Sequence, residues 1–398
     1  MCFVTDQPYR PFVLNWRLTE LHGWGLVGVH TCLHLLRTGG APMLITPPDL
    51  GTMRPQTQAL IQPLELPAQR LGAYIEQARA QGQRLHIEAA TVLYALGGQM
   101  QPGLAAQPMF GARNVGVGAF TETNLSAQAQ ADARSYNRVV IHSRFNQQVL
   151  ADFGIASDCV FQGVDPTEVS PGPRSDRFGD RFVIFSGGKI EFRKGQDIVL
   201  AAFRAFQQRH ADALLVTAWG NFWPATALSM HSSPLGLAPL QLLPDGSDVD
   251  VAGWMHANDL PETACLNIGF ISRENLAPLL RDCDLAVFPN RCEPGTNLVA
   301  MEAMACGLPV VLSANTGHLD LIGDDRTYVL SRQQPVPDPS GNARYWGESD
   351  VDELVEAMEH AYQNRDEARS RGLAGSHWVL NNRRWDQFAA DFVDTCNR

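Results

Sequence analysis

Residues 181–219 read "RFVIFSGGKIEFRKGQDIVLAAFRAFQQRHADALLVTAW". A short apolar run ends at a Gly-Gly pair, and Lys189, Arg193 and Lys194 follow within six positions. Apolar residues then recur at helical spacing, and a second apolar run closes the stretch. Apolar strands interleaved with helices describe a parallel sheet covered on both faces. Downstream the alternation continues through "LNIGFISRENLAPLLRDCDLAVFPN", the helix "NLVAMEAMACG" and the strand "LPVVLS". A mixed tail ends in "WDQFAADFVDTCNR".

Upstream, residues 166–180, "PTEVSPGPRSDRFGD", are rich in Pro, Gly and charge and read as a linker. Before it the same alternation runs through "FVLNWRL", a helix from about 27 to 38, "PMLIT", a helix around "AQRLGAYIEQARA", "TVLYAL", "NVGVGAF" and "RVVIHS". Ser143 is placed to cap the helix that follows "VVIHS". Two α/β domains joined by a linker are therefore expected. Residues 225–265, rich in Pro, Gly and Asp, read as an insertion or a long loop.

A chain of 398 residues suits two domains better than one core. Its net charge of -11 argues against a broad nucleic-acid footprint, so any bound anion must be held by a local site. Eight cysteines, at 2, 32, 159, 265, 283, 292, 306 and 396, include no Cys-x-x-Cys pair and several lie in apolar runs. Buried reduced thiols in a reducing compartment follow from that pattern. The start "MCFVTDQPYRPF" has no leader pattern, and no run of about 18 apolar residues is present to span a membrane. A cytoplasmic location is expected, with peripheral membrane contact left open.

Two stretches carry chemistry. In "VIFSGGKIEFRKGQD", glycines let backbone amides approach an anion, the helix start adds positive potential and lysines supply charge, a combination suited to a diphosphate. An exposed basic turn would look the same. In "FPNRCEPGTNLVAMEAMACGLPVV", a buried strand ends near Asn290, a Gly-containing turn bears Glu293, and a helix begins around Thr296 or Asn297. The free amides at that helix start form a second anion site. Glu302, embedded in "LVAMEAMA", is costly to solvate there unless it has partners.

These stretches, together with "ADARSYNRVVIHSRFNQQVLADFGI" and "CVFQGVD", resemble the retaining glycosyltransferases of the GT-B type, family 4. The likeness follows nearly the whole chain in order and is weakest over 50–110 and 225–265. It implies an α/β fold of two Rossmann-like domains facing across a cleft: an acceptor domain at 1–170 and a nucleotide-sugar-binding domain at 180–375. A C-terminal helix at 376–398 would pack back on the first domain. It further implies that Lys189 and Lys194 clamp the diphosphate, at positions where the family has Arg and Lys. Lysine keeps the charge but loses the bidentate fork. The family's two glutamates correspond to Glu293, near the sugar, and Glu302, on the ribose hydroxyls. Here eight residues separate them instead of seven, because "PGTN" carries one more. Gly188 and the backbone of Gly295, Thr296, Asn297 and Leu298 would meet phosphate and sugar.

The implied reaction moves a hexosyl unit from a UDP- or GDP-linked sugar to an acceptor hydroxyl on a glycan, lipid-linked or protein acceptor. No cofactor is required, and "DGSDVDVAG" (Asp245, Asp248, Asp250) reads as an acidic loop rather than a metal site. Where the family often places a His near the acceptor, "VGVGAFTETN" holds Thr121 and Glu122, and Glu122 is a candidate to position the acceptor or bear on the sugar, the other reading being a plain polar residue at a strand end. His318 in "NTGHLDLI" is a candidate to line the cleft, while His22, His30, His86 and His142 read as structural. In "WGNFWP", Trp219, Phe222 and Trp223 read as core packing more readily than as a base pocket.

"GWGLVG" at 23–28 fits Gly-x-Gly-x-x-Gly and raises an oxidoreductase reading. The prolines of "LITPPDL" stand between the second strand and Asp49 and weaken it. The resemblance instead implies a glycine-rich loop after the first strand that faces the diphosphate, which accounts for Gly23, Gly25 and Gly28 and makes Gly23 and Gly25 candidate nucleotide-sugar-binding residues. A non-catalytic nucleotide-sugar-binding protein, or a GT-B-like sugar-nucleotide epimerase or disaccharide synthase, remains the competing reading.

Overall fold

The computed structural model describes residues 11–175 and 177–398. Residues 1–10, with Cys2 and the stretch read as lacking a leader, lie outside the described residues, as does Asp176.

The chain divides into two compact units, each described by itself. Unit 1 comprises the described residues up to Gln162 together with Trp385–Arg398, and unit 2 is Gly163–Arg384. Unit 1 holds β1 (Phe12–Leu14), α1 (Gly23–Arg37), β2 (Pro42–Leu44), α2 (Pro55–Ile61), α3 (Glu65–Ala80), β3 (Leu85–Leu96), β4 (Met109–Gly118), α4 (Ala127–Ser135), β5 (Arg138–Ile141), α5 (Arg144–Asp152) and β6 (Asp158–Cys159). Its strands form one sheet in the order β2-β1-β3-β4-β5-β6, every pair parallel. Ser143 caps α5, its hydroxyl accepting from the Asn146 amide at 3.2 Å.

Unit 2 contains β7 (Phe182–Gly188), α6 (Gln196–Gln207), β8 (Ala213–Trp219), α7 (Val251–Ala257), β9 (Cys265–Asn267), α8 (Arg273–Arg281), β10 (Leu285–Phe288), α9 (Leu298–Ala305), β11 (Val310–Ser313) and β12 (Tyr328–Leu330). A two-stranded ribbon, β13 (Gln333–Pro335) with β14 (Gly347–Ser349), and the helices α10 (Val351–Gln363) and α11 (Arg365–Asn382) complete it. The order β12-β11-β10-β7-β8-β9 is again all parallel. Period-2 alternation along β7 sends Phe182 and Ile184 into the core on one face and Val183 and Phe185 into the core on the other. A sheet buried on both faces therefore reads as the continuous apolar run seen in the sequence.

Three boundaries depart from expectation. Residues 166–180 are not a free spacer but part of unit 2. Arg174 pairs with Asp284 at 2.7 Å, and the Ser175 hydroxyl donates to Asp282 at 2.6 Å. Residues 225–265 carry a 3-10 segment, Pro224–Ser232, and α7, and they deliver Met230, Leu240, Trp254 and Met255 to the core. The last helix, α12 (Trp385–Asn397), begins nine residues beyond 376, because α11 runs on to Asn382. It packs within unit 1: Trp385 stacks on His30 with ring centroids 4.6 Å apart, and Phe388 meets His142 edge-on at 5.6 Å. Burial lowers the pKa of His142 to about 4, so it packs as a neutral ring.

Candidate functional site

In unit 2, β7 is the first strand and β10 the fourth, and they are neighbours where the strand order reverses. Loops leaving the carboxyl ends of strands at such a reversal form the usual ligand crevice of open α/β sheets. One is the turn after β7. Gly188 has φ +118° and nothing within 4 Å of where a Cβ would stand, so the backbone is bare on that side. Lys189 follows, half-exposed, with Nζ 2.6 Å from Glu191 Oε1. Glu191 also takes Arg193 Nε at 2.6 Å. Gly195, left-handed at φ +70°, leads into α6, and a Cβ there would collide with the Pro289 carbonyl at 2.2 Å.

The other is the loop from β10 to α9. Glu293 is buried, and both its oxygens are engaged: Oε1 by Arg193 Nη1 at 3.0 Å and Lys194 Nζ at 2.8 Å, Oε2 by Lys194 Nζ at 2.6 Å and Asn290 Nδ2 at 3.2 Å. Burial alone would raise its pKa. Lys194 and Arg193 overcome that and hold the carboxyl at about 2. Lys189, Arg193 and Lys194 thus face two carboxylates, Glu191 and Glu293, which leaves one positive charge in excess. Arg193, absent from the residues expected to act, lies in the same motif as the lysines.

Backbone strain collects at the end of this loop and at the turn after β11 that is bonded to it. Asn297 (φ +56°) and Thr316 (φ +41°) are non-glycine residues in left-handed conformation, and for a β-branched threonine that is costly. Thr316 Oγ1 accepts from the Glu293 amide at 2.8 Å, and the Gly317 amide donates to the Glu293 carbonyl at 2.9 Å. A Cβ on Gly317 would meet the Gly295 carbonyl at 1.6 Å. Asn297 caps α9: Oδ1 accepts from the Ala300 amide at 3.3 Å. The amides of Leu298 and Val299 have no hydrogen-bond partner among the described residues, so the helix start is open to an acceptor.

His318 does not line a surface. It is fully buried, and its Nε2 accepts from Asn297 Nδ2 at 2.9 Å. That acceptor role puts the proton on Nδ1, which donates to Ser313 Oγ at 2.9 Å, and Ser313 donates onward to the Asn290 carbonyl at 2.6 Å. Burial drives the His318 pKa down to about 4. The ring ties the α9 cap to the end of β10.

Glu302 lies one turn into α9 and is buried. Its Oε1 accepts from Arg273 Nη1, and Arg273 turns Nε and Nη2 to Glu168 Oε2 at 2.9 and 2.7 Å. Neither Arg273 nor Glu168 stands out in the sequence. Their partners lie 29 and 105 residues away, beyond the reach of local pattern. The same holds for Arg291, fully buried between Asp197 (Nη2 to Oδ2, 2.6 Å) and Glu348 (Nη2 to Oε1, 2.8 Å), with its guanidinium 4.0 Å from the Phe192 ring. This network fastens α6 and the ribbon strand β14 behind the two loops.

The other expected residues divide. Gly23, Gly25 and Gly28 are not a loop but the first turns of α1, capped by His22, whose Nδ1 accepts from the Gly25 amide at 3.1 Å. Gly25 and Gly28 are needed for packing, since a Cβ on Gly25 would meet the Thr19 carbonyl at 2.1 Å and one on Gly28 the Leu18 side chain at 2.3 Å. Glu122 is half-buried at the carboxyl ends of β3 and β4, its carboxylate lying over Gly98, whose Cβ would meet it at 2.2 Å. Its Oε2 accepts from the Thr121 amide at 3.3 Å. Trp219 is core, as expected, but Trp223 is 69% exposed and Phe222 stacks on the exposed Phe270, so those two are not. Asp245, Asp248 and Asp250 turn their oxygens to the amides of Ser247, Val249 and Gly253, closing turns and capping α7.

The family model described as glycosyl transferases group 1 matches residues 173–375, just over half of the chain. The chain belongs to this family. Curated relatives of the chain include the GDP-mannose-dependent alpha-(1-6)-phosphatidylinositol monomannoside mannosyltransferase of Mycolicibacterium smegmatis. It is 26% identical over 230 residues, covering 56% of this chain and 51% of that one. A D-inositol 3-phosphate glycosyltransferase 1 of Catenulispora acidiphila is 32% identical over 179 residues, covering 43% and 39%. The chain thus spans about half the length, or less, of these curated relatives. Among solved structures, the sucrose-phosphate synthase of Thermosynechococcus elongatus superposes with a TM-score of 0.63 at 16% identity, covering 97% of this chain and 98% of that one. Anabaena HepE in complex with UDP and glucose gives 0.62 at 12%, covering 98% and 100%. At such identities the likeness carries the fold, which for this group 1 chain is GT-B-like, with two Rossmann-like domains. Among the described residues, no helix is long and apolar enough to cross a membrane.

Proposed function

We propose that this chain is a retaining glycosyltransferase of family 4, moving a hexosyl unit from a nucleoside diphosphate sugar to an acceptor hydroxyl. The observation that carries this is the cationic cluster of Lys189, Arg193 and Lys194, held by Glu293 and Glu191 at the strand-order reversal beside the open start of α9. When the bond between anomeric carbon and diphosphate breaks, negative charge builds on the departing oxygens. Donors already aimed there lower the barrier. Lys189, Lys194, Arg193, the backbone from Gly295 to Leu298 and the bare turn at Gly188 take that role. Charge on the diphosphate is met by side chains and amides, so the reaction as proposed needs no metal.

Glu293, with both oxygens occupied, acts through Lys194 and Arg193 rather than on the sugar. Glu302 accepts from the ribose hydroxyls, and Glu122 orients the acceptor. His318 serves by holding the α9 cap. The mycobacterial relative named as GDP-mannose-dependent favours a guanine nucleotide, with UDP as the alternative. The described cysteines are all free thiols, which supports a reducing, cytoplasmic setting.

A thermal-shift panel of GDP, UDP, ADP and NAD tests the reading, because a ligand bound by the folded state raises its melting temperature with occupancy. GDP or UDP is expected to give the largest shift and Lys194→Ala to abolish it. A larger shift with NAD would overturn the assignment. Donor binding with no nucleotide release in the presence of sugar acceptors would move the chain to a nucleotide-sugar-binding module.

A further inference from the structure

Glu302 is an acid in an apolar helix. Its neighbours Met301, Ala303, Met304 and Ala305 are completely buried, so an ionised carboxylate there needs compensation. Arg273 supplies it, from a position that helix electrostatics disfavour: it is the first residue of α8, after the N-cap Ser272, where the helix dipole repels a cation. Glu168 offsets that repulsion. Its Oε2 accepts from both Nε and Nη2 of Arg273, at 2.9 and 2.7 Å, which fixes the plane of the guanidinium. The remaining edge, Nη1, is then aimed at Glu302 Oε1. Glu302 Oε2 has no hydrogen-bond partner among the described residues.

We propose that Arg273, anchored by Glu168, is a positioning residue that fixes the Glu302 carboxylate so that Oε2 is presented to the vicinal hydroxyls of the donor's ribose. The inference rests on the ribose role given to Glu302 above and adds what orients it. A planar fork held at three nitrogens restricts a carboxylate more than a lysine ammonium would. Orientation in advance of binding removes an ordering cost that the nucleotide would otherwise meet. Glu168 lies shortly after the chain enters unit 2 at Gly163, so the clamp also links that entry segment to the donor site.

Calorimetric titration of the intact chain with GDP, UDP, their 2′-deoxy analogues and inorganic pyrophosphate tests the proposal. In the natural protein the deoxy nucleotide is expected to bind about 10-fold more weakly, the worth of one hydrogen bond to a charged group. In Arg273→Gln that gap is expected to shrink below about threefold while pyrophosphate binds as before. A gap that persists in folded Arg273→Gln overturns the proposal. So does an equal loss for nucleotide and pyrophosphate, which is what a merely structural arginine would give. Glu168→Gln, which keeps Arg273 on Glu302 but loosens its anchor, gives an independent readout where Arg273→Gln does not fold. A narrowed gap supports the anchor and an unchanged one overturns it. If instead Glu302→Gln keeps the full gap, the ribose role of Glu302 fails first, and the proposal with it.

Discussion

The two α/β units each place glycines where a first strand gives way to a first helix, and the glycines do opposite things. In unit 1, Gly25 and Gly28 sit inside α1 because the helix lies against Thr19, Leu18 and Trp16 too closely for any side chain. In unit 2, Gly188 has φ +118° and faces empty space. A glycine needed for close packing and one needed for open backbone are indistinguishable as letters. What separates them is the company: three cations follow Gly188, and none follows Gly28 until Arg37.

The largest expected effect tests the cations themselves. Lys194→Ala removes the donor that holds both Glu293 oxygens. Loss of one such preorganised donor should lower kcat about 100- to 1000-fold with a matched donor sugar. Steady-state nucleotide release measures it, and a loss below about threefold would place the diphosphate elsewhere. Next comes the acid limb of stability. Glu293 is held at about 2, below the ordinary carboxyl value of 4.5. A depressed folded-state pKa contributes stability above the unfolded value and loses it as pH falls. About 3 kcal/mol should therefore disappear between pH 4.5 and 2. Urea midpoints across that window should fall more steeply for the natural protein than for Glu293→Gln.

The alternation of strands and helices, and with it two parallel sheets, was legible because central strands such as β1, β5, β7, β8, β10 and β11 are apolar runs, while the short edge strands β6 and β9 are not. The cap at Ser143 and the basic motif were legible for the same local reason: cause and effect lie within a few residues. Illegible were the pairs that build the site from a distance. Arg291 reaches Asp197 across 94 residues and Glu348 across 57, and no periodicity announces such a partner. Even so, a lone glutamate inside "LVAMEAMA" was a signal of a kind. A charge embedded in apolar sequence must be neutralised by something, and only the fold says by what. The "GWGLVG" stretch was ambiguous for the converse reason, since a motif defined by missing side chains cannot say what fills the space.

Gly25→Ala breaks the comparison on its unit 1 side. The new Cβ would sit 2.1 Å from a backbone oxygen that cannot swing away, so stability should drop by about 3 kcal/mol, the upper end of overpacking costs. Thermal melts measure the drop, and the remaining folded protein should bind pyrophosphate normally.

Gly188→Ala closes the series with the smallest effect on stability and the most informative contrast. Nothing stands within 4 Å of the new methyl, so the only structural cost is holding an L-residue at positive φ, about 1–3 kcal/mol. The space it enters is the space in which a diphosphate would approach the backbone, however, and Lys189 is the next residue. Nucleotide affinity should therefore fall about 10-fold while the melting temperature moves less than in Gly25→Ala. The two variants change the same letter to the same letter, one in each unit. If Gly188→Ala cost more stability than Gly25→Ala and left GDP and UDP affinity intact, the glycine of unit 2 would be a packing glycine too. The diphosphate would then have to be gripped without the bare turn after β7.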